Sequence, residues 1–119
     1  MKILIADDSK FMRHLIRLNV ESLGHTVVAE AENGVQAVEG YYKHHPDVVF
    51  IDMIMPQMGG LDAIVSIMSY DSDAKVIMCS SMGHASYIKE AIVRGARDFI
   101  VKPFNPQKIK EVLGKLEDS

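Results

Sequence analysis

The chain has 119 residues, of which 48% are hydrophobic and 24% charged, and its formal net charge is -3 at pH 7. This length and composition are typical of one ordinary globular domain with a single sizeable core, residues 1–119. The acidic balance argues against non-specific nucleic-acid binding, and no apolar run approaches the roughly 20 residues that a membrane span needs, so we expect neither nucleic-acid binding nor membrane insertion.

The amino-terminal stretch and the cysteine content indicate the compartment. Acids interrupt the first apolar stretch at Asp7, which is too early for a signal peptide. The single cysteine, Cys79, excludes an internal disulfide and suits a reducing environment. We therefore expect a cytoplasmic protein. Separately, we expect it to be a monomer.

Five short apolar runs predict five β-strands. They are KILIA (2–6), TVVAE (26–30), DVVFI (47–51), KVIMC (75–79) and DFIVK (98–102). Four of them are continuously apolar, as in strands that are buried on both faces of a parallel sheet. The run TVVAE is flanked by polar residues and is expected at an edge of the sheet.

Segments of helical period follow each of these runs and predict five helices. The expected buried stripes are Phe11, Leu15 and Leu18 with Met12, Ile16 and Val20; Val35, Val38, Tyr41 and Tyr42; Leu61, Ile64, Val65 and Met68; Tyr87, Ile88, Ala91 and Ile92; and Ile109, Val112, Leu113 and Leu116. Asn33 and Asn105 are expected to begin helices, and Gly24 and Gly95 to end them.

The alternation of strands and helices predicts the fold class. Five strand–helix pairs are typical of an α/β domain with a (βα)5 doubly wound parallel sheet and right-handed crossovers. We expect the flavodoxin-like strand order 2-1-3-4-5, with a ligand site outside the carboxyl ends of the strands, where the first and third strands are neighbours.

Polar side chains collect at that predicted edge. They are Asp7 and Asp8 after the first strand, Asp52 after the third, Ser80 and Ser81 after the fourth, and Lys102 at the end of the fifth. Three clustered carboxylates raise one another's pKa unless a cation lies among them, so a divalent cation is expected. Few carboxylates without His or Cys favour Mg2+ over calcium or zinc.

The same residues suggest phosphoryl chemistry. Mg2+ sites with open positions often complete their coordination with phosphate oxygens, and Lys102 and Ser80 could hold a phosphoryl group from the opposite side. An aspartate can act as the nucleophile and form an acyl phosphate. Asp52, the single acid at the end of the central strand, is the candidate.

Simpler roles stay open for individual residues. Asp8 or Ser9 could cap a helix, and Lys102 could be a solvated lysine beside Pro103. The adjacent acids Asp7 and Asp8, together with a third acid on a neighbouring strand, favour the metal site. Outside the cluster, Glu30 and Glu32 are expected at a solvated strand end, and His44 and His45 at a solvated helix end rather than on a metal.

These motifs resemble a known family over essentially the whole chain. The pair Asp7–Asp8, IDMIMP around Asp52, SS at 80–81 and VKPF at 101–104 are similar to the receiver domain of bacterial two-component response regulators. The stretches CSSMG and GARDFIVKPF most resemble stand-alone chemotaxis receivers. Such receivers are themselves examples of the 2-1-3-4-5 order, so the resemblance is no independent support for that order.

The resemblance implies a phosphorylation-controlled switch that catalyses only its own phosphorylation and dephosphorylation. Asp52 would accept a phosphoryl group from a phosphohistidine on a sensor histidine kinase. Asp8 and Asp52 would ligate Mg2+ directly, Asp7 would do so through water, and Ile54 would contribute its backbone carbonyl.

The resemblance also implies how the signal leaves the site. Ser80 would close onto the phosphoryl oxygens, and Lys102 would pair with them beside a cis bond to Pro103. Phe99 is at the position of the aromatic switch residue and would swing inward as Ser80 moves. A downstream effector protein would bind the face formed by the fourth helix, the fifth strand and the fifth helix.

Three positions depart from the chemotaxis pattern. Phe99 lacks the hydroxyl of the tyrosine often found there, so a partner contact through that group is absent. Ile54 and Met82, two residues beyond Asp52 and Ser80, are apolar where relatives can carry polar residues that orient the hydrolytic water. Slow self-dephosphorylation is therefore expected.

Other functions fit the sequence less well. The chain ends at LEDS with neither a helix-turn-helix pattern nor a basic region, which argues against an intact transcriptional regulator; a receiver domain of, or feeding, such a regulator stays open. A haloacid-dehalogenase-type phosphatase would carry two acids as D-x-D in one loop. A flavodoxin would carry a glycine- and hydroxyl-rich loop where this chain has DDSKF.

Overall fold

The computed structural model describes residues 1–81 and 85–117. In these two segments, five parallel strands alternate with five helices. The strands are β1 (Lys2–Ala6), β2 (Thr26–Ala31), β3 (Val48–Asp52), β4 (Val76–Ser81) and β5 (Asp98–Lys102). The helices are α1 (Lys10–Ser22), α2 (Gly34–His44), α3 (Gly60–Tyr70), α4 (Ala85–Val93) and α5 (Pro106–Glu117). The spatial order β2-β1-β3-β4-β5 confirms the predicted α/β topology.

The register of the strands aligns their carboxyl ends. Ala6 pairs with Ile51, Asp52 pairs with Cys79, and Ser81 pairs with Lys102. The residues that follow β1, end β3 and end β5 therefore meet at one edge of the sheet. β3 is buried along its whole length, whereas β2 is partly exposed, which confirms that β2 is an edge strand.

Alternate side chains of the strands pack into two cores, one on each face of the sheet. Leu4 and Ala6 of β1 face the core that α2, α3 and α4 cover, while Ile3 and Ile5 face the core under α1 and α5. The helices thus flank the sheet on both sides, as in other doubly wound folds. None of the described helices is long and apolar enough to cross a membrane.

The predicted buried stripes are only partly correct. The α5 stripe is confirmed, but α1 packs through Arg13, Ile16 and Val20, whereas Phe11 is 68% and Leu18 52% exposed. Residues at 13, 16 and 20 fit a helical period as well as those at 11, 15 and 18 do, so periodicity alone cannot choose between the two faces. The other exposed members of predicted stripes are Val35, Tyr42, Val65, Tyr87 and Ile92.

The predicted helix ends are confirmed. The Asn33 side chain accepts from the backbone N–H of Gln36 at 2.8 Å, and Asn105 Oδ1 accepts from Gln107 N–H at 2.8 Å. Gly24 and Gly95, just beyond α1 and α4, have φ of +91° and +120°, which glycine adopts without the steric cost of a Cβ.

Candidate active site and metal centre

Three carboxylates meet at the carboxyl edge of the sheet. Asp7 and Asp8 follow β1 and Asp52 ends β3, and one oxygen of each lies within 4.8 Å of the others. Asp7 and Asp52 are buried, while Asp8 is exposed. Among the described residues this is the one group of three or more potential ligands that could hold a metal ion, and neither His44 nor His45 belongs to it.

Lys102 forms ion pairs with both buried acids. Its Nζ donates to Asp7 Oδ2 at 3.0 Å and lies 3.1 Å from Asp52 Oδ1. The lysine ends β5, so this one ammonium group joins the ends of β1, β3 and β5. The bond from Lys102 to Pro103 is cis, as predicted.

The electrostatic environment favours a cation at this edge. Burial raises the pKa of Asp52 to about 6, and the charge of Asp7 adds to this effect, while Lys102 opposes it. Burial alone would lower the pKa of Lys102, but its hydrogen bond to Asp7 and the charges of Asp52 and Asp7 outweigh burial and raise the pKa. The lysine therefore stays charged, and one ammonium does not fully offset the acids around Asp52.

The donor set is compatible with a hard divalent cation. Asp7, Asp8 and Asp52 supply oxygen donors, and no His or Cys belongs to the cluster. Oxygen donors in this number suit an ion that keeps part of its water shell. The residues present thus fit the metal that the sequence predicts.

Asp7 is held by hydrogen bonds with three neighbours, two to its backbone and one to its side chain. Its N–H donates to the Ala31 carbonyl at 3.0 Å, and its carbonyl accepts from Arg13 Nη1 at 2.7 Å. Its side-chain Oδ1 accepts from the Ser9 N–H at 2.9 Å. Ser9 also caps α1, because its Oγ accepts from the Met12 N–H at 3.2 Å.

Sequence reasoning missed Arg13 and its contact with Glu30. Arg13 is 7% exposed, and its Nε donates to Glu30 Oε1 at 3.0 Å. Arg17 contacts the other oxygen of Glu30 at 2.6 Å. Glu30 lies at an exposed strand end, as predicted, and the two arginines of α1 also hold its carboxylate. The spacing of Arg13 from Ile16 and Val20 is the sequence signal that could have placed Arg13 on the buried face.

A close backbone approach positions the segment after Asp52. α3 begins at Gly60, where a Cβ would collide with the Asp52 carbonyl oxygen. The Gly60 N–H donates to the Met53 carbonyl at 2.8 Å, and the Met53 N–H donates to the Cys79 carbonyl at 3.0 Å. The strand end that carries Asp52 is therefore held from α3 and from β4.

The remaining predicted site residues lie around this cluster. Ser80 is 1% exposed near the end of β4, and its Oγ donates to the Ser81 carbonyl at 3.3 Å. Phe99 is half-buried in β5, with Lys108 Nζ 5.9 Å from its ring centroid. Ile54 is 61% exposed, and Met82 lies outside the described residues. The functional roles expected of these residues stay predictions.

Comparison with known proteins identifies the family. The response regulator receiver domain family matches residues 3–114. The chemotaxis protein CheY of Listeria monocytogenes is 50% identical over 115 residues, which are 97% of this chain and 97% of that protein. CheY of Thermotoga maritima is 47% identical over 97% of this chain and 96% of its own length.

Solved structures agree with these sequence matches. The CheX–CheY–BeF3–Mg2+ complex of Borrelia burgdorferi contains a chain with a TM-score of 0.94 and 33% identity, over 98% of this chain and 89% of that one. Receivers are phosphorylation-controlled switches, and the relatives favour chemotaxis over the transcriptional alternative. The predicted resemblance to receivers and the predicted preference for chemotaxis are both confirmed. The chain belongs to the family of response regulator receiver domains.

Proposed function

We propose that this protein is a cytoplasmic, monomeric chemotaxis switch in which Asp52 accepts a phosphoryl group from a phosphohistidine on a sensor histidine kinase. The observation that carries the proposal is the position of the Lys102 ammonium, 3.0 Å from Asp7 and 3.1 Å from Asp52, beside three clustered carboxylates. A cation between buried acids at the carboxyl edge of the sheet is suited to bind an incoming anionic group.

Asp52 has the role of nucleophile in this proposal. A carboxylate oxygen of Asp52 attacks phosphorus, and the new O–P bond forms as the P–N bond to the imidazole breaks. The bonding electron pair stays on the imidazole nitrogen, so the kinase leaves with a neutral histidine. Lys102, next to Asp52 Oδ1, binds a phosphoryl oxygen, and the buried Ser80 hydroxyl binds another after a local movement.

The acid cluster is the proposed Mg2+ site. Asp7, Asp8 and Asp52 would hold the ion together with the backbone carbonyl of Ile54. When bound, Mg2+ offsets the negative charge of the transferring phosphoryl group. The fit of three oxygen donors within 4.8 Å supports this assignment, as does the presence of Mg2+ in the Borrelia CheY complex.

The proposed output is binding of a downstream protein to the face formed by α4, β5 and α5. Phe99 of β5 is partly buried and packs at the margin of the core that α2, α3 and α4 cover, so its ring is partly accessible on this face. The Borrelia CheY was solved with a protein partner, CheX, which supports a protein output for this chain too. We propose that phosphorylation alters the affinity of this face for its partner.

The nucleophile can be tested by mass measurement. Incubation with acetyl phosphate and Mg2+ should add one hydroxylamine-labile phosphoryl group to the intact protein. Asp52→Asn should abolish this gain, and Asp62→Asn should not, because the Asp62 side chain is 76% exposed on α3. Phosphorylation that persists in Asp52→Asn would place the nucleophile elsewhere.

The lifetime of the phosphoryl group is a separate proposal. Ile54 is 61% exposed and apolar, so it cannot orient a hydrolytic water through a hydrogen bond. The double variant Ile54→Asn with Met82→Glu should therefore hydrolyse its phosphoryl group faster than the wild type. An unchanged rate in this variant would contradict the explanation.

A further inference from the structure

We propose that Arg13 is a positioning residue that orients the Asp7–Asp8 segment and thereby strengthens Mg2+ binding. The inference rests on the proposed Mg2+ site. Arg13 would act through the backbone of Asp7 and would contact neither the metal nor the phosphoryl group.

Arg13 is tied to the site by a short and buried hydrogen bond. Its Nη1 donates to the Asp7 carbonyl at 2.7 Å, and its side chain is only 9% exposed. The guanidinium is aimed by its other contacts, because Nε donates to Glu30 at 3.0 Å and Nη2 lies 3.9 Å from Glu32. The planar fork of an arginine can serve two strand ends at once, which a lysine cannot do with the same geometry.

The contacted carbonyl belongs to the peptide group that joins Asp7 to Asp8. The orientation of this peptide plane decides the direction in which the Asp8 side chain leaves the backbone. Asp8 is exposed, so surrounding core packing does not orient it. The Asp7 N–H already bonds to Ala31 at 3.0 Å, and Arg13 therefore fixes the opposite side of the residue.

Charge and geometry predict opposite effects of removing Arg13. A positive side chain beside the site repels Mg2+, so loss of its charge alone would tighten metal binding. Loss of its hydrogen bond would let the Asp7–Asp8 peptide rotate and would weaken metal binding. Groups that orient metal ligands typically change affinity by about 10-fold to 100-fold when they are removed. We therefore expect the geometric effect to dominate.

Arg17 offers a matched control on the same helix. It carries the same charge and contacts the same Glu30, at 2.6 Å, but its hydrogen bonds go to Glu30 and Glu21 and not to Asp7. Removing Arg17 thus changes the charge near β2 and the Glu30 ion pair without releasing the Asp7 carbonyl. Arg13→Lys is the second variant, because it keeps the charge and one donor but loses the fork.

The experiment is a calorimetric Mg2+ titration of the full chain without any phosphoryl donor, with urea unfolding of each variant in parallel. Arg13→Met should weaken Mg2+ binding by about 10-fold, Arg13→Lys should fall between it and the wild type, and Arg17→Met should stay within about 2-fold of the wild type. The urea midpoint of each variant shows whether weaker Mg2+ binding comes from loss of the fold. If Arg13→Met does not fold, Arg13→Lys provides the test.

The possible results separate the two proposals. Equal Mg2+ affinity in the Arg13 and Arg17 variants, or tighter binding in Arg13→Met, overturns the positioning role while the metal site stands. Absence of Mg2+ binding by the wild type overturns the proposed metal site and the positioning role with it.

Discussion

The metal-free protein should become more stable when Asp52 is replaced by asparagine. Asp52 is buried against Asp7, and the single Lys102 ammonium serves both carboxylates. Asparagine has nearly the same shape and keeps a carbonyl oxygen for Lys102, but it removes the buried negative charge. The substitution therefore isolates the energetic cost of keeping Asp52 ionised.

The size of that cost follows from the pKa of Asp52. Burial and the neighbouring Asp7 raise it from 3.8 to about 6. A shift of about two units corresponds to about 3 kcal/mol between the ionised and neutral forms, at 1.36 kcal/mol per unit. Water that still reaches the carboxylate screens part of this energy, so we expect Asp52→Asn to stabilise the folded state by about 1 to 2 kcal/mol.

The sign of the pH dependence is determined by the direction of the shift. The pKa of Asp52 is raised in the folded state, so the folded protein is favoured when this carboxyl is neutral. This contribution to the stability of the wild type is fully present below the ordinary pKa of 3.8 and is lost as the pH rises through about 6. The difference between Asp52→Asn and the wild type should therefore be small near pH 4 and largest above pH 7.

Urea unfolding in EDTA at several pH values measures this difference, with Asp62→Asn as the exposed control. A ligand that binds only the folded state raises its stability. Added Mg2+ should therefore stabilise the wild type more than Asp52→Asn, because the substitution removes one of the proposed metal ligands. A variant that is no more stable than the wild type above pH 7 in EDTA would refute the reasoning.

Two further predictions concern packing and a side-chain hydrogen bond. In urea unfolding, Gly60→Ala should destabilise the folded protein by about 1 to 3 kcal/mol, because the new Cβ would collide with the Asp52 carbonyl. Gly114→Ala, in open space on α5, should instead stabilise it by about 0.5 to 1 kcal/mol. Equal effects of the two substitutions would refute the close approach at Gly60. The Tyr41 hydroxyl donates to Asp71 Oδ2 at 2.7 Å, and this hydrogen bond lowers the pKa of Asp71. Tyr41→Phe should therefore raise that pKa, and an NMR titration that finds the pKa of Asp71 unchanged would contradict this.

The fold and the acid cluster could be predicted because both follow from local patterns. Continuous apolar runs identify strands buried on both faces, and the ends of parallel strands meet at one edge of the sheet. Asp7, Asp52 and Lys102 therefore had to approach one another once the strand order was predicted. Their observed separations of 3.0 and 3.1 Å from the lysine agree with that expectation.

Contacts between side chains of different elements could not be predicted in the same way. The bond from Arg13 to Glu30 joins α1 to β2 across 17 residues, and neither residue belongs to a pattern that identifies its partner. The face that α1 turns to the sheet depends on how the chain leaves β1, since apolar residues at helical spacing lie on more than one face of this helix. Burial of Arg13 instead of Phe11 follows from that tertiary choice.

The buried thiol of Cys79 makes the chain convenient for chemical labelling. It is the single cysteine of the sequence and is 1% exposed inside β4, where burial raises the pKa of the thiol. Alkylating reagents attack exposed thiolates, so the native cysteine should be spared. A cysteine placed at Val93, which is 75% exposed on α4, would then carry one dye or spin label and report on this surface during signalling, without removal of Cys79.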